Sequence, residues 1–410
     1  MAQATIIIGA GHAGLAMSRA LTARAIDHII LDQGGPGHAW RTERWESLRM
    51  LTPNWANALP GETDRDPDPD GFMAARSFAD RLERYAQSIA APLHRGITVT
   101  RLAHDGSCFQ VETDQGMLRA ETIVNATGAT RLPRVPRIAS EVPSRIFQIT
   151  PNQYRRPADL PDGGVLVVGA SASGAQLARE IQLSGRPVTL ATGGHLRLPR
   201  RYRGRDIDYW LHHAGINDER AEDLDDLTRA RRLPSAQLIA EGTVDLNALR
   251  SIGVEITGRL LDIRDGKAMF SGGLAPLIVS ADLKMHRLLD RIDDWIAASP
   301  KRHGTDDMHR PEPTTIPTNS RLSLPLNPGP VRTIIWATGY AADTSWIDLP
   351  VFDIRGRLRH DGGVCPVPGL FALGLPVLRR RASHQISGAA ADTKDLSLLI
   401  SRHLDACRAA

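Results

Sequence analysis

Short apolar runs separated by helical patterns open the chain. The run Ala4–Ile8 leads into a glycine-rich turn, an amphipathic segment follows, and a second apolar run covers residues 28–31. This order predicts a strand–turn–helix–strand unit with parallel strands. In such a turn Gly9 would permit the sharp bend, Gly11 would let a pyrophosphate approach the helix N-terminus, and Gly14 would let the helix pack on the strand. The pattern therefore indicates a dinucleotide-binding unit rather than an ordinary glycine-rich turn.

The same arrangement recurs about 160 residues later in the chain. The run Val165–Val168 enters the turn Gly169–Gly174, and a further apolar run covers Pro187–Ala191. Ser171 occupies the position of the middle glycine and is small enough for close approach to a phosphate. The alternative interpretation is a hydrolase nucleophile elbow, G-x-S-x-G, but that motif needs glycine where this chain has Ser173. Two dinucleotide-binding turns in one chain indicate two nucleotides with electron transfer between them.

The residues that follow the second strand of each unit predict which nucleotides bind. Asp32 follows the second strand of the first unit, where an acid binds ribose hydroxyls. The corresponding strand of the second unit ends at Thr192, and arginines follow instead of an acid. Since arginine forms charge-assisted bonds with a 2′-phosphate, this difference favours NADPH over NADH. The candidates are Arg197, Arg200 and Arg201, and the alternative is that they lie on a solvated loop.

The remaining pattern predicts the elements that surround the two units. We expect helices over Ala75–Ile89 and Leu283–Ala298, a mostly helical stretch over 204–253, a β-meander over 97–125, a second meander that ends with Leu277–Val279, and a strand over Val331–Trp336. Two Ala-Thr-Gly turns, at 126–128 and 337–339, each follow an apolar strand. Their small residues would let the backbone approach a cofactor.

Composition adds limits on the partners. The 410 residues are 42% hydrophobic and 23% charged, and the net charge is +4, as in ordinary globular enzymes. No lysine–arginine run has interleaved aromatic residues, so nucleic acid is not expected as a partner. No apolar run approaches the roughly 18 residues that a membrane span needs, and we expect a cytoplasmic protein.

Cysteine and histidine patterns exclude two other kinds of site. Cys108, Cys365 and Cys407 are far apart and form no C-x-x-C motif, so a dithiol redox centre is not expected. The histidines show no ligand-like spacing, so no metal is expected.

Three segments make the chain resemble the class B flavin-dependent monooxygenase superfamily, which includes flavin-containing monooxygenases and short CzcO-like bacterial members. They are Trp-Arg-Thr-Glu-Arg-Trp at 40–45 with Leu-Thr-Pro at 51–53, Leu-Pro-Arg-Arg-Tyr-Arg-Gly-Arg-Asp at 198–206, and Trp-Ala-Thr-Gly-Tyr at 336–340. The resemblance covers nearly the whole chain. It implies an α/β fold with two Rossmann-like dinucleotide-binding domains, in which the NADPH domain is inserted into a split FAD domain. The implied segments are 1–155 (FAD, first part), 156–330 (NAD(P)H) and 331–410 (FAD, second part).

The resemblance also implies contacts to the cofactors. Trp40 and Arg41 would flank the flavin, and Thr52 would approach its isoalloxazine ring. Thr52 and His384 are candidates for a chemical role, and no acid–base pair is evident. The implied FAD contacts are Gly9, Gly11, Gly14, Asp32, Gln33, Trp40, Arg41, Thr52, Thr127 and Gly128, and the implied contacts to NADPH and the second Ala-Thr-Gly turn are Gly169, Ser171, Ser173, Gly174, Thr338 and Gly339, with the three arginines named above.

Two departures from the superfamily concern the nucleotide of the second unit. The F-x-G-x-x-x-H fingerprint is not met, because Phe147 is followed by neither the glycine nor the histidine. Relatives often carry an arginine where this chain has Thr192 or Gly194.

The implied reaction transfers a hydride from NADPH to FAD, activates O2 as a C4a-(hydro)peroxyflavin, and oxygenates a small organic substrate at a soft nitrogen or sulfur or at a carbonyl. The expected partners are therefore a small-molecule substrate and O2. The alternative is a flavoprotein NAD(P)H oxidase or electron-transfer reductase that oxygenates no organic substrate. A third interpretation is a nucleotide-binding module without catalysis.

Overall fold

The structure of the protein is a computed structural model that describes residues 3–63, 66–240, 242–299 and 306–409. Its helices are α1 (His12–Thr22), α2 (His38–Thr42), α3 (Ala75–Ser88), α4 (Ala172–Leu183), α5 (Ile207–His213), α6 (Leu227–Ala230), α7 (Leu246–Ser251), α8 (Leu274–Ala298) and α9 (Ile386–Ala409). Its strands are β1 (Gln3–Ile8), β2 (His28–Asp32), β3 (Leu93–Arg95), β4 (Val99–His104), β5 (Phe109–Thr113), β6 (Gly116–Asn125), β7 (Leu132–Pro133), β8 (Phe147–Ile149), β9 (Gly164–Val168), β10 (Val188–Ala191), β11 (Arg201–Tyr202), β12 (Arg205–Asp206), β13 (Glu255–Thr257), β14 (Leu260–Arg264), β15 (Lys267–Phe270), β16 (Ser323–Pro325), β17 (Val331–Trp336), β18 (Tyr340–Ala341) and β19 (Leu370–Ala372).

The first sheet is built on the first βαβ unit. Its strand order is β3-β2-β1-β6-β5-β4, and β19 also pairs with β6. Strand β1 runs parallel to β2 and β6, whereas β4, β5 and β6 form the predicted antiparallel meander. Ile6, Ile30 and Val124 in the central strands are fully buried, since helices cover a parallel sheet on its faces. Helix α1 packs against the C-terminal helix α9, which attaches the end of the chain to its beginning.

The second sheet is built on the second βαβ unit. Its strand order is β13-β10-β9-β17-β8, and every neighbouring pair is parallel. Helix α4 connects β9 to β10 and packs on both strands. Leu166, Val167 and Leu190 are fully buried, which explains why these strands are continuous apolar runs rather than alternating ones.

The sheets divide the chain at positions that differ from the predicted segment bounds. Strand β8 lies before residue 156 and β17 lies after residue 330, yet both belong to the second sheet. The predicted strand Val331–Trp336 pairs with β9, so the chain returns to the first unit only after this strand. An apolar run does not indicate which of two sheets it joins, and the domain bounds at residues 155 and 330 stay a prediction.

The predicted strand Leu277–Val279 is wrong, because these residues lie in the first half of α8. The buried positions of this helix, Leu274, Ile278, Ala281, Met285, Leu289 and Ile292, recur every three or four residues, which is helical spacing. Pro276 lies in the first turn, where a helix tolerates proline. The third strand beside β14 and β15 is instead β16.

The segment 204–253 is less helical than predicted. Its described residues contain the short α-helices α5, α6 and α7, a 3-10 turn over Ala221–Asp223 and strand β12. Asp206, Asp226 and Asp245 cap their N-termini by accepting a backbone hydrogen bond. Irregular backbone separates the three helices. The aspartates of this segment therefore mark the starts of several short helices rather than one long helix.

Candidate functional site

The first glycine-rich turn has the geometry of a close-packed nucleotide turn. Gly9 has φ +107, and a Cβ there would lie 2.6 Å from the carbonyl oxygen of Ala126. A Cβ on Gly14 would lie 1.9 Å from the carbonyl oxygen of Gly9. These two glycines therefore hold α1 and the Ala126 turn tightly against the end of β1.

Gly11 differs from its two neighbours because it faces open space. No heavy atom lies within 4 Å of a Cβ built on Gly11, and the residue forms the N-cap of α1 without a side-chain cap. The N-terminal backbone N–H groups of a helix bind anions when no side chain satisfies them. The turn thus leaves room for a phosphate group next to Gly11.

The second turn repeats this geometry. Gly169 has φ +109, with the carbonyl oxygen of Ala337 2.3 Å from a Cβ, and a Cβ on Gly174 would lie 1.8 Å from the Gly169 carbonyl oxygen. Ser171 is the N-cap of α4 with φ −77 and ψ −174, almost the same conformation as Gly11 with φ −72 and ψ −177. Serine is compatible with this position because its φ is negative.

Asp32 lies beside the first turn, where the sequence predicted it. One carboxylate oxygen accepts a hydrogen bond of 2.7 Å from the backbone N–H of Ala10, and the other accepts bonds from Gly34 (2.9 Å) and Gly35 (2.6 Å). The oxygen that binds Ala10 has a further lone pair that can accept a bond from a hydroxyl group, whereas the other oxygen already accepts two bonds. Gln33, next to it, accepts a bond of 2.8 Å from Arg131.

The two Ala-Thr-Gly turns occupy equivalent positions beside the two glycine-rich turns. Asn125 accepts bonds from the N–H and the hydroxyl of Thr127, which fixes the first turn. The hydroxyl of Thr338 donates to the carbonyl of Arg134, which fixes the second. Gly128 and Gly339 have positive φ values and nothing within 4 Å of a Cβ, so both present bare backbone to open space.

One cavity of about 2420 Å³ joins the two turns. Fourteen of the residues predicted from the sequence line it: Gly9, Gly11, Asp32, Gln33, Trp40, Thr52, Thr127, Gly128, Gly169, Ser171, Ser173, Thr338, Gly339 and His384. Gly14 and Gly174 lie behind the turns and act through packing. The three arginines and Arg41 do not line the cavity.

Arg41 points away from the predicted flavin site. Its guanidinium donates to the carbonyl of Pro36 and to Asp80, both at 2.9 Å. Arg44 occupies the cavity instead and lies 5.4 Å from the ring centroid of Trp40. The sequence could not separate these two arginines, since the short helix α2 turns Arg41 outward.

Tyr340 lines the cavity and is the last residue of the Trp-Ala-Thr-Gly-Tyr motif, from which no separate role was predicted for it. Burial raises the pKa of Tyr340, while Arg44 and a hydrogen bond from Ser173 oppose that rise. Ser173 belongs to the second glycine-rich turn, and Arg44 contacts Trp40 beside the first unit. Tyr340 therefore connects side chains from both units at the centre of the cavity.

Arg197 and Arg200 do not have the predicted role at a 2′-phosphate, because both are buried in ion pairs. Arg197 binds Asp245 at 2.8 Å and Asp282 at 2.9 Å. Arg200 binds Asp206 at 2.6 Å and Asp208 at 2.8 Å.

Arg201 is exposed, and its guanidinium donates to the carbonyl of Gly204. It lies outside the cavity as well. Of the three predicted arginines, Arg197 and Arg200 therefore have a structural role, and Arg201 lies on the surface.

His12 is half-buried and His384 is exposed, and the imidazoles of both line the cavity. Burial, and after it the charge of His384, lowers the pKa of His12 to about 4. Desolvation inside the cavity lowers the pKa of His384 as well, although its side chain is exposed to the cavity space. Among the described residues, Nε2 of His12 has no hydrogen-bond partner although the atom is buried. His12 lies directly after Gly11, so this atom is available to a group that occupies the first turn.

Asp208 is an ionisable cavity residue that the sequence analysis missed. Burial raises its pKa to about 6, Arg200 opposes this shift, and Asp206 adds to it. No motif marked Asp208, since its environment depends on Arg200 folding back over α5.

The residues present fit two dinucleotides. Open backbone at Gly11 and at Ser171 suits a pyrophosphate, and the buried Nε2 atom of His12 can form a hydrogen bond with a ligand.

The described residues contain no cluster of three or more potential metal ligands. None of the described helices is long and apolar enough to cross a membrane, and the cytoplasmic location stays a prediction.

Comparison with known proteins gives the family. Residues 6–221 match the family described as pyridine nucleotide-disulphide oxidoreductase. The chain belongs to this family. An uncharacterized CzcO-like oxidoreductase from Geobacillus kaustophilus is 31% identical over 95% of this chain and 96% of its own length. The CzcO oxidoreductase of Bacillus subtilis is 26% identical over the same shares of the two chains.

Monooxygenases are also similar to this oxidoreductase. The indole-3-pyruvate monooxygenase YUCCA1 of Oryza sativa is 27% identical over 48% of this chain and 50% of its own. The solved structure of a flavin-containing monooxygenase from Stenotrophomonas maltophilia has a TM-score of 0.70 at 18% identity, with 98% and 99% of the two chains covered. A complex of OTEMO with FAD and NADP has a TM-score of 0.57 at 14% identity, with 99% and 86% covered.

These comparisons confirm the predicted α/β fold with two dinucleotide-binding units and the resemblance to class B flavin monooxygenases. They also confirm that the chain is an oxidoreductase. The contacts assigned to individual residues stay predictions, except where the packing above corrects them.

Proposed function

We propose that the chain is an FAD-dependent monooxygenase that uses NADPH and O2 to oxygenate a small organic substrate. The observation that carries this proposal is the pair of equivalent nucleotide turns that open into one cavity. Two nucleotides bound in these turns would have their reactive rings in the same enclosed space, which direct hydride transfer requires.

FAD suits the first turn. Asp32 has one lone pair left, on the oxygen that binds Ala10, for the ribose of the adenosine half, and Gly11 leaves room for the pyrophosphate. The imidazole of His12 would donate to or accept from the cofactor through Nε2, since a buried polar atom without a partner is costly. When bound, the flavin supplies the acceptance of hydride and the activation of O2.

NADPH suits the second turn, where Ser171 and Ser173 begin helix α4. The protein's own contribution is to hold the two rings and to exclude water from them. Trp40, Arg44 and Tyr340 form the wall where the two units meet. Burial raises the pKa of the Tyr340 phenol, which favours the protonated form whose O–H can donate at this position.

The similar proteins support oxygenation over other reactions of the same family. Their printed names include indole-3-pyruvate monooxygenases, a Baeyer-Villiger monooxygenase of Streptomyces coelicolor and a flavin-containing monooxygenase. Solved structures of disulfide reductases also share the fold. In this chain none of the described residues that line the cavity is a cysteine, which favours oxygenation over thiol–disulfide exchange.

The test is the coupling of NADPH oxidation to product. The FAD-loaded protein is given NADPH, O2 and a panel of amines, thioethers and ketones, and NADPH, peroxide and product are measured together. We expect one substrate class to lower the peroxide formed per NADPH as oxygenated product appears. The Gly11→Ala variant, without flavin, is the control. Stoichiometric peroxide with every compound would instead support the NAD(P)H oxidase.

A further inference from the structure

The place where a 2′-phosphate would lie has no basic residue on its own loop. Strand β10 ends at Ala191, and the segment after it reads Thr192-Gly193-Gly194. Adenosine ribose binds at the end of the second strand in a dinucleotide-binding unit. Arg197 and Arg200, further along, are held in buried ion pairs. If this unit prefers NADPH, the cation must come from another element.

Arg259 comes from the neighbouring strand and reaches this place. Strand β13 runs parallel to β10, with Ala191 paired to Thr257. Arg259 lies two residues beyond Thr257, and Gly193 lies two residues beyond Ala191. The Nε atom of Arg259 is 4.0 Å from a Cβ built on Gly193. The parallel register therefore brings the guanidinium alongside the two glycines.

The backbone around Arg259 is fixed, whereas its side chain is not. Ser271 donates a bond of 2.8 Å to the carbonyl of Arg259, and a Cβ on Gly258 would lie 1.9 Å from the Ser271 carbonyl oxygen. Thr192 donates a bond of 3.0 Å to the carbonyl of Thr257, which joins the two strand ends. The guanidinium itself is exposed and lines the cavity, and none of the hydrogen bonds or ion pairs of the described residues uses it.

A second cation lies close to the same segment. Burial lowers the pKa of His195, the residue that follows Gly194, and the charge of Lys284 on α8 lowers it further. Lys284 also lines the cavity. A phosphate beside Gly193 would thus have a guanidinium on one side and an ammonium group nearby, and two cations suit a dianion.

We propose that Arg259, at the end of the third strand of the unit, binds the 2′-phosphate of NADPH, with Lys284 as the second cation. This assignment rests on the proposed function, because it requires a nucleotide in the second turn. It makes Arg259 the residue that determines the preference for NADPH over NADH.

The test uses 2′,5′-ADP and 5′-AMP, which differ only in the 2′-phosphate, with calorimetry on the FAD-loaded protein. We expect the wild type to bind 2′,5′-ADP more tightly. Arg259→Gln should weaken 2′,5′-ADP binding by about tenfold or more and leave 5′-AMP binding unchanged, since one charge-assisted contact is lost. Lys284→Gln should cause a smaller loss. Arg264→Gln removes an exposed arginine of β14 outside the cavity and should bind both ligands like the wild type.

The outcomes separate this assignment from the proposed function. The assignment is overturned if Arg259→Gln binds both ligands with wild-type affinity, or if its affinity falls equally for both. In either case the second nucleotide site still stands. If the wild type binds neither ligand, the second nucleotide site itself fails, and the proposed NADPH dependence fails with it.

Discussion

Gly9 and Gly11 lie two residues apart in one turn and meet different physical demands. Gly9 combines a positive φ with a backbone oxygen 2.6 Å from any Cβ, so the fold requires glycine there. Gly11 has an ordinary negative φ and open space beside it, so only an incoming ligand requires glycine there. A single motif thus contains one residue that serves the fold and one that serves binding.

Alanine substitutions separate these two roles. We expect Gly9→Ala to lower the free energy of unfolding of the apoprotein by more than about 2 kcal/mol, since strain and a backbone clash add together. Gly11→Ala should change it by less than about 1 kcal/mol but should yield protein with little FAD. Chemical unfolding and the flavin absorbance of purified protein measure the two effects. Full flavin content in Gly11→Ala would remove the support for the first site.

Charged residues show where sequence reasoning fails at this scale. The glycine positions were predictable because the motif is local. The partners of Arg197 are not local, since Asp245 and Asp282 lie 48 and 85 positions away. A sequence with alternating charges does not indicate which arginine will pair with a carboxylate in the fold. For this reason the sequence predicts a phosphate contact for Arg197 and none for Arg259.

Arg200 is therefore expected to contribute to stability and not to nucleotide preference. Arg200→Ala should cost about 3–5 kcal/mol, because it leaves the buried carboxylate of Asp208 and the half-buried one of Asp206 without their cation. The ratio of 2′,5′-ADP to 5′-AMP affinity should not change. Arg201→Ala is the control, since Arg201 is exposed and should change stability by less than about 0.5 kcal/mol. A normal unfolding midpoint in Arg200→Ala would contradict the structural role.

At the scale of elements, the two βαβ units were predictable because strand, turn, helix and strand follow one another closely along the chain. The structure of the C-terminal wall of the cavity could not be predicted in this way from the sequence. Its segment before α9 is fixed by Arg380, which bonds Asp392 at 2.7 Å, and by Ser383, which accepts bonds from the N–H groups of Arg379 and Arg380. This network holds His384 in the cavity wall, and it depends on contacts between a loop and a helix face.

Asp392 tests this network. Its side chain is fully buried. Asp392→Ala removes a charge-assisted bond of the half-buried Arg380, which keeps Asp395 at 3.1 Å, and should cost about 1.5–3 kcal/mol. Asp392→Asn keeps an acceptor and should cost less. Asp405→Ala, at an exposed position of the same helix, should change stability by less than about 0.5 kcal/mol. Denaturant titration gives all three values, and equal effects of the alanine variants would contradict the account.

At the scale of the whole molecule, the cavity draws its walls from both units and from the last segment of the chain. No local pattern predicts such a space, because it arises from how the two sheets are placed together. Its consequence is a set of desolvated histidines. Burial lowers the pKa of His12 to about 4 and, with help from Arg231, that of His360 to about 4.

These histidines predict how stability depends on pH. An unfolded chain protonates them near their ordinary pKa of 6.5, whereas the folded chain resists protonation until about pH 4. Between these values the unfolded state binds more protons, so the stability present above pH 6.5 is lost as the pH falls through 4. Each unit of pKa difference corresponds to about 1.4 kcal/mol.

Substitution of the two histidines should flatten this dependence. His12→Gln and His360→Gln should each reduce the loss of unfolding free energy between pH 6.5 and 4, measured on apoprotein by urea unfolding. His94→Gln, on the exposed strand β3, should leave the slope unchanged. Identical slopes in all four proteins would show that the two half-buried histidines do not govern the acid response.

The central claim is that both nucleotides act in one cavity to insert an oxygen atom into an organic substrate. Isotope labelling tests it most directly: the FAD-loaded protein is supplied with NADPH, 18O2 and the substrate class that lowers peroxide formation, and the product is analysed by mass spectrometry. We expect one 18O atom in the product for each NADPH consumed, and no label in the product when the 18O is supplied as water. Unlabelled product, or NADPH consumption that ends in peroxide alone, would contradict it.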